Sequence, residues 1–256
     1  MKGTTQNSSN SGSILPNMTF FPEPFEWVQV TQGDAVISNP FYNLSQVIHV
    51  SLADFHISKY PVTNDQYEYY LRDIGQQTKA STIQRTASFS AGKNPVIDIY
   101  YFEALAFCRW ISNKISHFVT LPSDAQWIRA ARGNTIQKYP WGNAWNGTEC
   151  NTKESGIRHT TAVDQYPTGA SPFNVMDMLG NVYEWCCTDP ATGHNHVHDT
   201  PTDFNPFHSN KEAHRVFMGG SFDSSIRGAS LDRYGGATTT SSPYVTGIRL
   251  VLNSSI

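Results

Sequence analysis

Short strand-like runs rich in β-branched and aromatic residues, the early ones alternating with polar residues, stand near both ends of the chain. Phe25-Glu-Trp-Val-Gln-Val30 and Val47-Ile-His-Val-Ser-Leu52 come early, and Val216-Phe-Met218 and Ile248-Arg-Leu-Val-Leu252 late. A period of two carried by β-branched and aromatic residues predicts strands. Between them the period lengthens. Phe102, Leu105, Ala106, Trp110 and Ile111 recur at three- and four-residue spacing, which predicts a helix over about Tyr100–Asn113 with one buried face. An earlier helix opens at Pro61-Val-Thr-Asn64, with Thr63 or Asn64 as its N-cap, and runs to about Asp73. Ser123-Asp-Ala-Gln126 is a capping box that starts a shorter helix ending near Gly133.

Other stretches carry no period. Residues 1–18 are mostly Ser, Asn, Gly and Thr and read as a disordered leader or tag remnant, leaving 19–256 as a single domain. Gln76–Lys93 is polar and reads as a surface loop. After Tyr139-Pro-Trp-Gly142 comes a long run rich in Gly, Pro, Asn, Thr and His, interrupted by Phe173–Cys187. Irregular stretches of that length are usually functional or disordered. No internal repeat is evident.

Composition narrows the function classes. At 256 residues the chain can bury a substantial core, and 15% charged residues with 18 Gly and 14 Pro suit a loop-rich globular protein. A net charge of −3 without a basic run argues against nucleic acid as partner. No apolar run approaches the roughly 18 residues of a membrane span, and no signal segment is expected at the start. Cys108, Cys150, Cys186 and Cys187 fit no zinc spacing, and the adjacent pair is too strained to bridge to itself. Free buried thiols and a disulfide between distant members both remain open.

Six segments together resemble the formylglycine-generating-enzyme (sulfatase-modifying factor) family. They are His56-Ile-Ser-Lys-Tyr-Pro-Val-Thr-Asn64, Leu121-Pro-Ser-Asp-Ala-Gln-Trp127 with Ala130-Ala-Arg-Gly133, Tyr139-Pro-Trp-Gly-Asn143, Met176-Asp-Met-Leu-Gly-Asn-Val-Tyr-Glu-Trp185, Gly219-Gly-Ser-Phe222 and Gly247-Ile-Arg-Leu-Val251. The resemblance implies an α+β, C-type-lectin-like fold, loop-rich, with two main helices and small antiparallel sheets. Trp127, Trp141 and Trp185 read as apolar anchors for irregular backbone, and Gly219-Gly220 as a turn that a Cβ would forbid.

The resemblance also implies two calcium sites. One would use the side chains of Asp177 and Glu184 with the carbonyls of Gly180 and Val182. The other would use the side chains of Asn151 and Asp164 with the carbonyls of Thr152 and Tyr166. Hard oxygen ligands in a loop suit calcium. The alternative is that Asp177 and Glu184 only cap turns.

In the enzymes, copper is held by a cysteine pair between the Gly-Gly-Ser and Gly-Phe-Arg motifs. Phe222–Thr246 here contains no cysteine, so no copper is expected. The related sulfoxide synthases need an additional N-terminal helical domain for their iron site, and this chain has no room for one. His194, His196 and His198 alternate in a polar loop, where solvated imidazoles are the commoner outcome.

The interval 223–246 is made of small polar residues with two tyrosines and lacks Lys, Glu, Gln, Met and Trp. That mixture suits a recognition loop; the bland alternative is an ordinary polar surface. The segment is also similar to the diversified end of diversity-generating retroelement variable proteins, which share the lectin-like fold. There, adenine-directed mutagenesis of asparagine codons cannot produce the five missing residue types. The resemblance implies a non-enzymatic, ligand-binding protein, displayed on a cell surface or virion, that meets a protein or glycan ligand. Ser224, Ser225, Arg227, Tyr234, Ala237, Thr238, Thr239, Ser241, Tyr244 and Thr246 are then expected to form one exposed patch, with Phe222, Leu231, Ile248 and Leu250 turned inward. A diverged enzyme of the same superfamily and a catalytically silent binding module are the alternatives.

Overall fold

The computed structural model describes residues 15–38, 47–76, 89–197, 213–232, 234–239 and 245–253. In chain order the elements are β1 (Trp27–Val30), β2 (Gly33–Ser38), β3 (Val47–Leu52), β4 (Phe55–Ser58), α1 (Asn64–Asp73), α2 (Tyr101–Ile115), β5 (Val119–Thr120), α3 (Asp124–Arg132), β6 (Tyr183–Trp185), β7 (His214–Met218), β8 (Tyr234–Thr238), β9 (Thr246–Gly247) and β10 (Val251–Asn253). Most of the described residues after α3 lie outside helix and strand, as an elaborated lectin-like fold requires.

The helices start where their capping chemistry places them. Thr63 Oγ1 accepts the Gln66 N–H at 3.3 Å while Gln66 Oε1 accepts the Thr63 N–H at 2.9 Å. Ser123 and Gln126 repeat the exchange at the head of α3, at 3.1 and 3.0 Å. Each exchange satisfies two backbone donors that the helix leaves open.

Three sheets result. One has the order β1-β4-β10-β5, a second is the β2-β3 hairpin, and a third runs β8-β7-β6-β9. In the first, every residue of β4 is buried, because it is sandwiched between β1 near the start and β10 near the end. The third sheet departs from the all-antiparallel expectation: β6 and β9 run parallel, Tyr183 opposite Thr246 and Glu184 opposite Gly247. Parallel pairing is possible because the intervening chain is long enough to return in the same direction.

Among the described residues three apolar clusters fill the interior, the smallest joining Ile97, Val182, Phe222 and Val245 and the other two far larger. The aromatic one gathers Tyr67 and Tyr70 of α1 with Phe107 and Trp110 of α2, ring centroids 5.2–5.6 Å apart. The other centres on Trp127 of α3, fully buried, with Val216, Met218 and Val251 from two sheets. Met18, which composition assigned to the leader, packs against the aromatic cluster; residues 1–14 lie outside the described residues. No helix among the described residues is long and apolar enough to cross a membrane.

Candidate functional site

The third sheet frames the segment that sequence singled out. β7 leads into the Gly219-Gly220 turn, whose φ angles are 92° and 75°. A Cβ on Gly219 would stand 3.1 Å from the Trp127 ring, and one on Gly220 3.3 Å from the Ala229 Cβ. The chain then loops through 221–232, returns as β8 against β7, and re-enters the sheet as β9. Phe222, Leu231, Ile248 and Leu250 are all at most 5% exposed, so the inward half of the expectation is borne out.

The outward half is corrected at three positions. Ser224 is 9% exposed, Thr239 1% and Thr246 0%. Ser224 is part of the turn: its Oγ accepts the Ser221 N–H at 2.9 Å and lies 2.9 Å from the Tyr183 hydroxyl. Thr239 directly follows β8, its N–H bonded to the Ala213 carbonyl at 2.8 Å. Thr246 belongs to β9, the edge strand beside β6, and is buried there. Ala237 and Thr238 are half-buried on β8, while Ser225 and Arg227 are exposed. Ser241, Tyr244 and the Tyr234 side chain lie outside the described residues.

Beneath this sheet sits a charged core. Arg249 and Glu184 are both buried, and Glu184 Oε2 accepts the Arg249 Nε–H at 2.7 Å and the Trp127 indole N–H at 2.6 Å. Oε1 accepts Arg249 Nη2 at 2.7 Å. The Glu184 carboxylate is thus neutralised by a guanidinium, and each of its oxygens already accepts a hydrogen bond.

Asp177 differs. It is 6% exposed with φ 56°, its Oδ2 accepts the Asn181 side-chain N–H at 2.8 Å, and its Oδ1 has no partner among the described residues. Burial pushes its carboxyl up to about 7, with repulsion from Glu184 and Asp164 adding and the Asn181 bond and Arg249 opposing. One carboxylate oxygen of the first expected set therefore fits a cation, and Glu184 does not. In the second set, Asn151 Oδ1 accepts the Ser155 hydroxyl at 2.9 Å and Asp164, exposed, pairs with Lys93 at 3.1 Å. The Thr152 and Tyr166 carbonyls cap short turns at 3.0 Å each. The two sets do adjoin: Gly180, φ 81°, lies so close to the Asn151 carbonyl that a Cβ there would press into it.

The residue that binds these segments together is Asn181, to which sequence reading gave no role. Its N–H meets the Asn151 carbonyl at 2.7 Å, its Oδ1 accepts the Thr161 N–H at 3.0 Å, and its carbonyl accepts the Phe222 N–H at 3.0 Å. A buried Asn with φ 57° is uncommon, and the Gly180-Asn181 dipeptide is the signal that would have pointed to a turn of this kind.

On the outer side, residues 226–232 and the Lys138–Tyr139 strip form a cleft of about 540 Å3 lined by Lys138, Tyr139, Ile226, Arg227, Ser230 and Asp232. Its two walls are stitched by the Leu231 N–H to the Lys138 carbonyl at 3.2 Å.

The sulfatase-modifying factor enzyme 1-like domain profile matches residues 22–254. The chain belongs to that family. Among relatives of this sulfatase-modifying-factor-like domain, the serine/threonine-protein kinase pkn1 of Chlamydia caviae is 31% identical over 156 residues, 55% of this chain and 24% of that protein. The formylglycine-generating enzyme of Mycobacterium tuberculosis is 34% identical over 109 residues, 38% of this chain and 34% of the enzyme. The matches thus span only a quarter to a third of those proteins' lengths. By fold, the domain is similar to PvdO from Pseudomonas aeruginosa (TM-score 0.71, 19% identity, 89% of this chain and 94% of that one). Variable protein 1 of Treponema denticola is similar to the same degree (TM-score 0.70, 18% identity, 90% and 95%).

The sulfatase-modifying-factor-like domain keeps its four cysteines reduced and buried. Burial raises the Cys108 and Cys186 thiols above their ordinary range and takes Cys150 to about 12. Such thiols are poor nucleophiles. Of the histidine trio, His194 and His196 meet edge-on with ring centroids 4.9 Å apart, and His198 lies outside the described residues.

Proposed function

We propose that this domain is a ligand-binding protein of the receptor type, the variable protein of a diversity-generating retroelement, which recognises a protein or glycan ligand at a cell or virion surface. The observation that carries the reading is the anchoring of segment 223–246. Gly219-Gly220, Asn181 and Tyr183, all outside it, hold its two ends, gripping it through buried Ser224 and Thr246, while Ser225 and Arg227 within it are exposed. A scaffold held from outside lets recognition residues change without loss of packing. The shared fold with variable protein 1 of Treponema denticola supports the same reading, as does the absence from the segment of the five residue types named above. A calcium ion, where bound, is held through Asp177 Oδ1 as a structural pin.

The decisive experiment is genomic. The coding sequence of residues 223–246 should have a near-identical template repeat beside a reverse-transcriptase gene, the two copies differing at adenines. A locus with neither removes the retroelement reading.

The second reading, a diverged enzyme, draws on the match to the formylglycine-generating enzyme. The copper-loaded protein is expected to oxidise a sulfatase-motif cysteine peptide no faster than copper alone, since no thiol lies between Phe222 and Thr246. Turnover above that control would favour the enzyme.

A further inference from the structure

The cleft beside residues 226–232 carries an uncompensated positive charge. Among the described residues Asp232 is the one acid in its lining, and its charge is already answered: Arg132, fully buried, donates Nη1 to Asp232 Oδ1 at 2.7 Å. Arg132 is itself fixed by the Gln137 and Val36 carbonyls at 3.2 and 2.8 Å, so it cannot turn away. Glu154, the carboxylate bonded to this loop, accepts the Ile226 N–H at 2.8 Å. Lys138 and Arg227 remain. Both are exposed, and among the described residues neither forms an ion pair. Two cations in a cleft lining whose one acid among the described residues is neutralised from below favour an anion there.

The walls are preorganised. The Tyr139 and Gly142 backbones exchange hydrogen bonds at 2.9 and 3.1 Å. The Tyr139 ring stacks on Trp141 with centroids 5.5 Å apart and meets Trp145 at 5.3 Å. That packing leaves Tyr139 only 8% exposed, an edge without a free face. A sugar ring would need such a face to lie on, whereas a peptide side chain needs only an apolar flank, and half-buried Ile226 supplies one. The volume of about 540 Å3 is of ligand-pocket size.

We propose that this cleft binds an acidic peptide segment, taking an Asp or Glu carboxylate between Lys138 and Arg227, with Ile226 and the Tyr139 edge against the adjoining aliphatic atoms. The proposal rests on the reading of 223–246 as a recognition segment and divides its chemistry in two. Arg227, within the segment, is the replaceable cation and the one able to grip a carboxylate with two parallel N–H bonds. Lys138, outside it, is permanent and gives any variant a residual preference for acids.

The full chain is titrated with a fluorescein-labelled octapeptide of alternating Glu and Ala, with its Gln-for-Glu counterpart, and with an oligoglucuronate, all read by fluorescence polarisation. The Glu peptide should bind at least about tenfold tighter than the Gln peptide, more weakly as salt rises. Lys138→Gln and Arg227→Gln should each weaken it about fivefold and the pair about twentyfold, with unchanged melting temperatures. Lys153→Gln, exposed and outside the cleft, should stay within about twofold. Equal binding of the Glu and Gln peptides, binding of neither, or indifference to both cleft substitutions overturns the proposal. Capture of the oligoglucuronate in place of the peptide overturns it in favour of an acidic glycan. A locus without a template repeat would remove the retroelement reading and leave this assay standing. A failed assay with the repeat present would remove the acidic-peptide proposal alone.

Discussion

Arg249 and Glu184 form one buried unit in which each of the five guanidinium N–H groups has an acceptor. Two reach the Glu184 carboxylate at 2.7 Å, and the others reach the carbonyls of Ser58, Lys59 and Met176 at 2.8, 3.0 and 2.7 Å. The unit ties the end of β4, the stretch running into β6 and the link between β9 and β10, three places far apart in sequence. Its net worth against an apolar replacement is small, because two ions lose their hydration. Breaking half of it is another matter.

Glu184→Gln or Arg249→Met should each cost about 3–5 kcal/mol, since either strands a buried charge or buried acceptors. The double variant Glu184→Leu with Arg249→Met should recover part of that loss. Urea unfolding at fixed pH measures all three. Single losses below about 1 kcal/mol would mean that the pair is hydrated and its burial unimportant.

Asp177 gives a pH-dependent test with a defined sign. Its carboxyl is pushed up to about 7 in the folded protein, against about 3.9 for an unfolded aspartate. The folded state therefore holds the proton more tightly. Stability from this group is full below about pH 4 and is lost as pH rises toward 7. In chelator, Asp177→Asn should stabilise the protein at pH 8 and change little at pH 4, since Asn tolerates the φ of 56°. In calcium the order should reverse at pH 8, with the chelator lowering the melting temperature of the parent and not of the variant. Identical melting curves in calcium and chelator would remove the ion.

Tolerance along the segment should be graded by burial. Replacing Ser225 or Arg227 with larger residues should shift stability by no more than about 0.5 kcal/mol. Large residues at Ser224, Thr239 or Thr246 should cost about 1–3 kcal/mol through overpacking, and more where a hydrogen bond is lost. A saturation library sorted for folded protein would show this. Equal tolerance at all five positions would contradict the placement of the buried three.

Much of the frame was legible because it is local. Thr63 and Ser123 announce their helices by a four-residue exchange, and the apolar stripe of α2 needs only its own sequence. β2 escaped notice because Gly33-Asp34 breaks the alternation, and its register is set by β3 across the hairpin. β9 is two residues long, and nothing within Thr246-Gly247 reveals that it pairs with Tyr183 and Glu184. The same non-locality misplaced Ser224, Thr239 and Thr246. A small polar residue reads as surface, yet a turn hydroxyl and a strand end are buried by partners that composition does not display. Glu184 looked like a metal ligand for a related reason, as the cation that claims it stands at Arg249.

The two ends of segment 223–246 are fastened to one sheet, at the Gly219-Gly220 turn beside β7 and at β9 beside β6. Loop closure is therefore settled by the scaffold, and lengthening a segment so closed costs only about 0.6 kcal/mol per doubling. Foreign epitopes of varied size, spliced there as cassettes, would inherit a fixed entry and exit. The architecture accommodates changes of length as well as of residue identity.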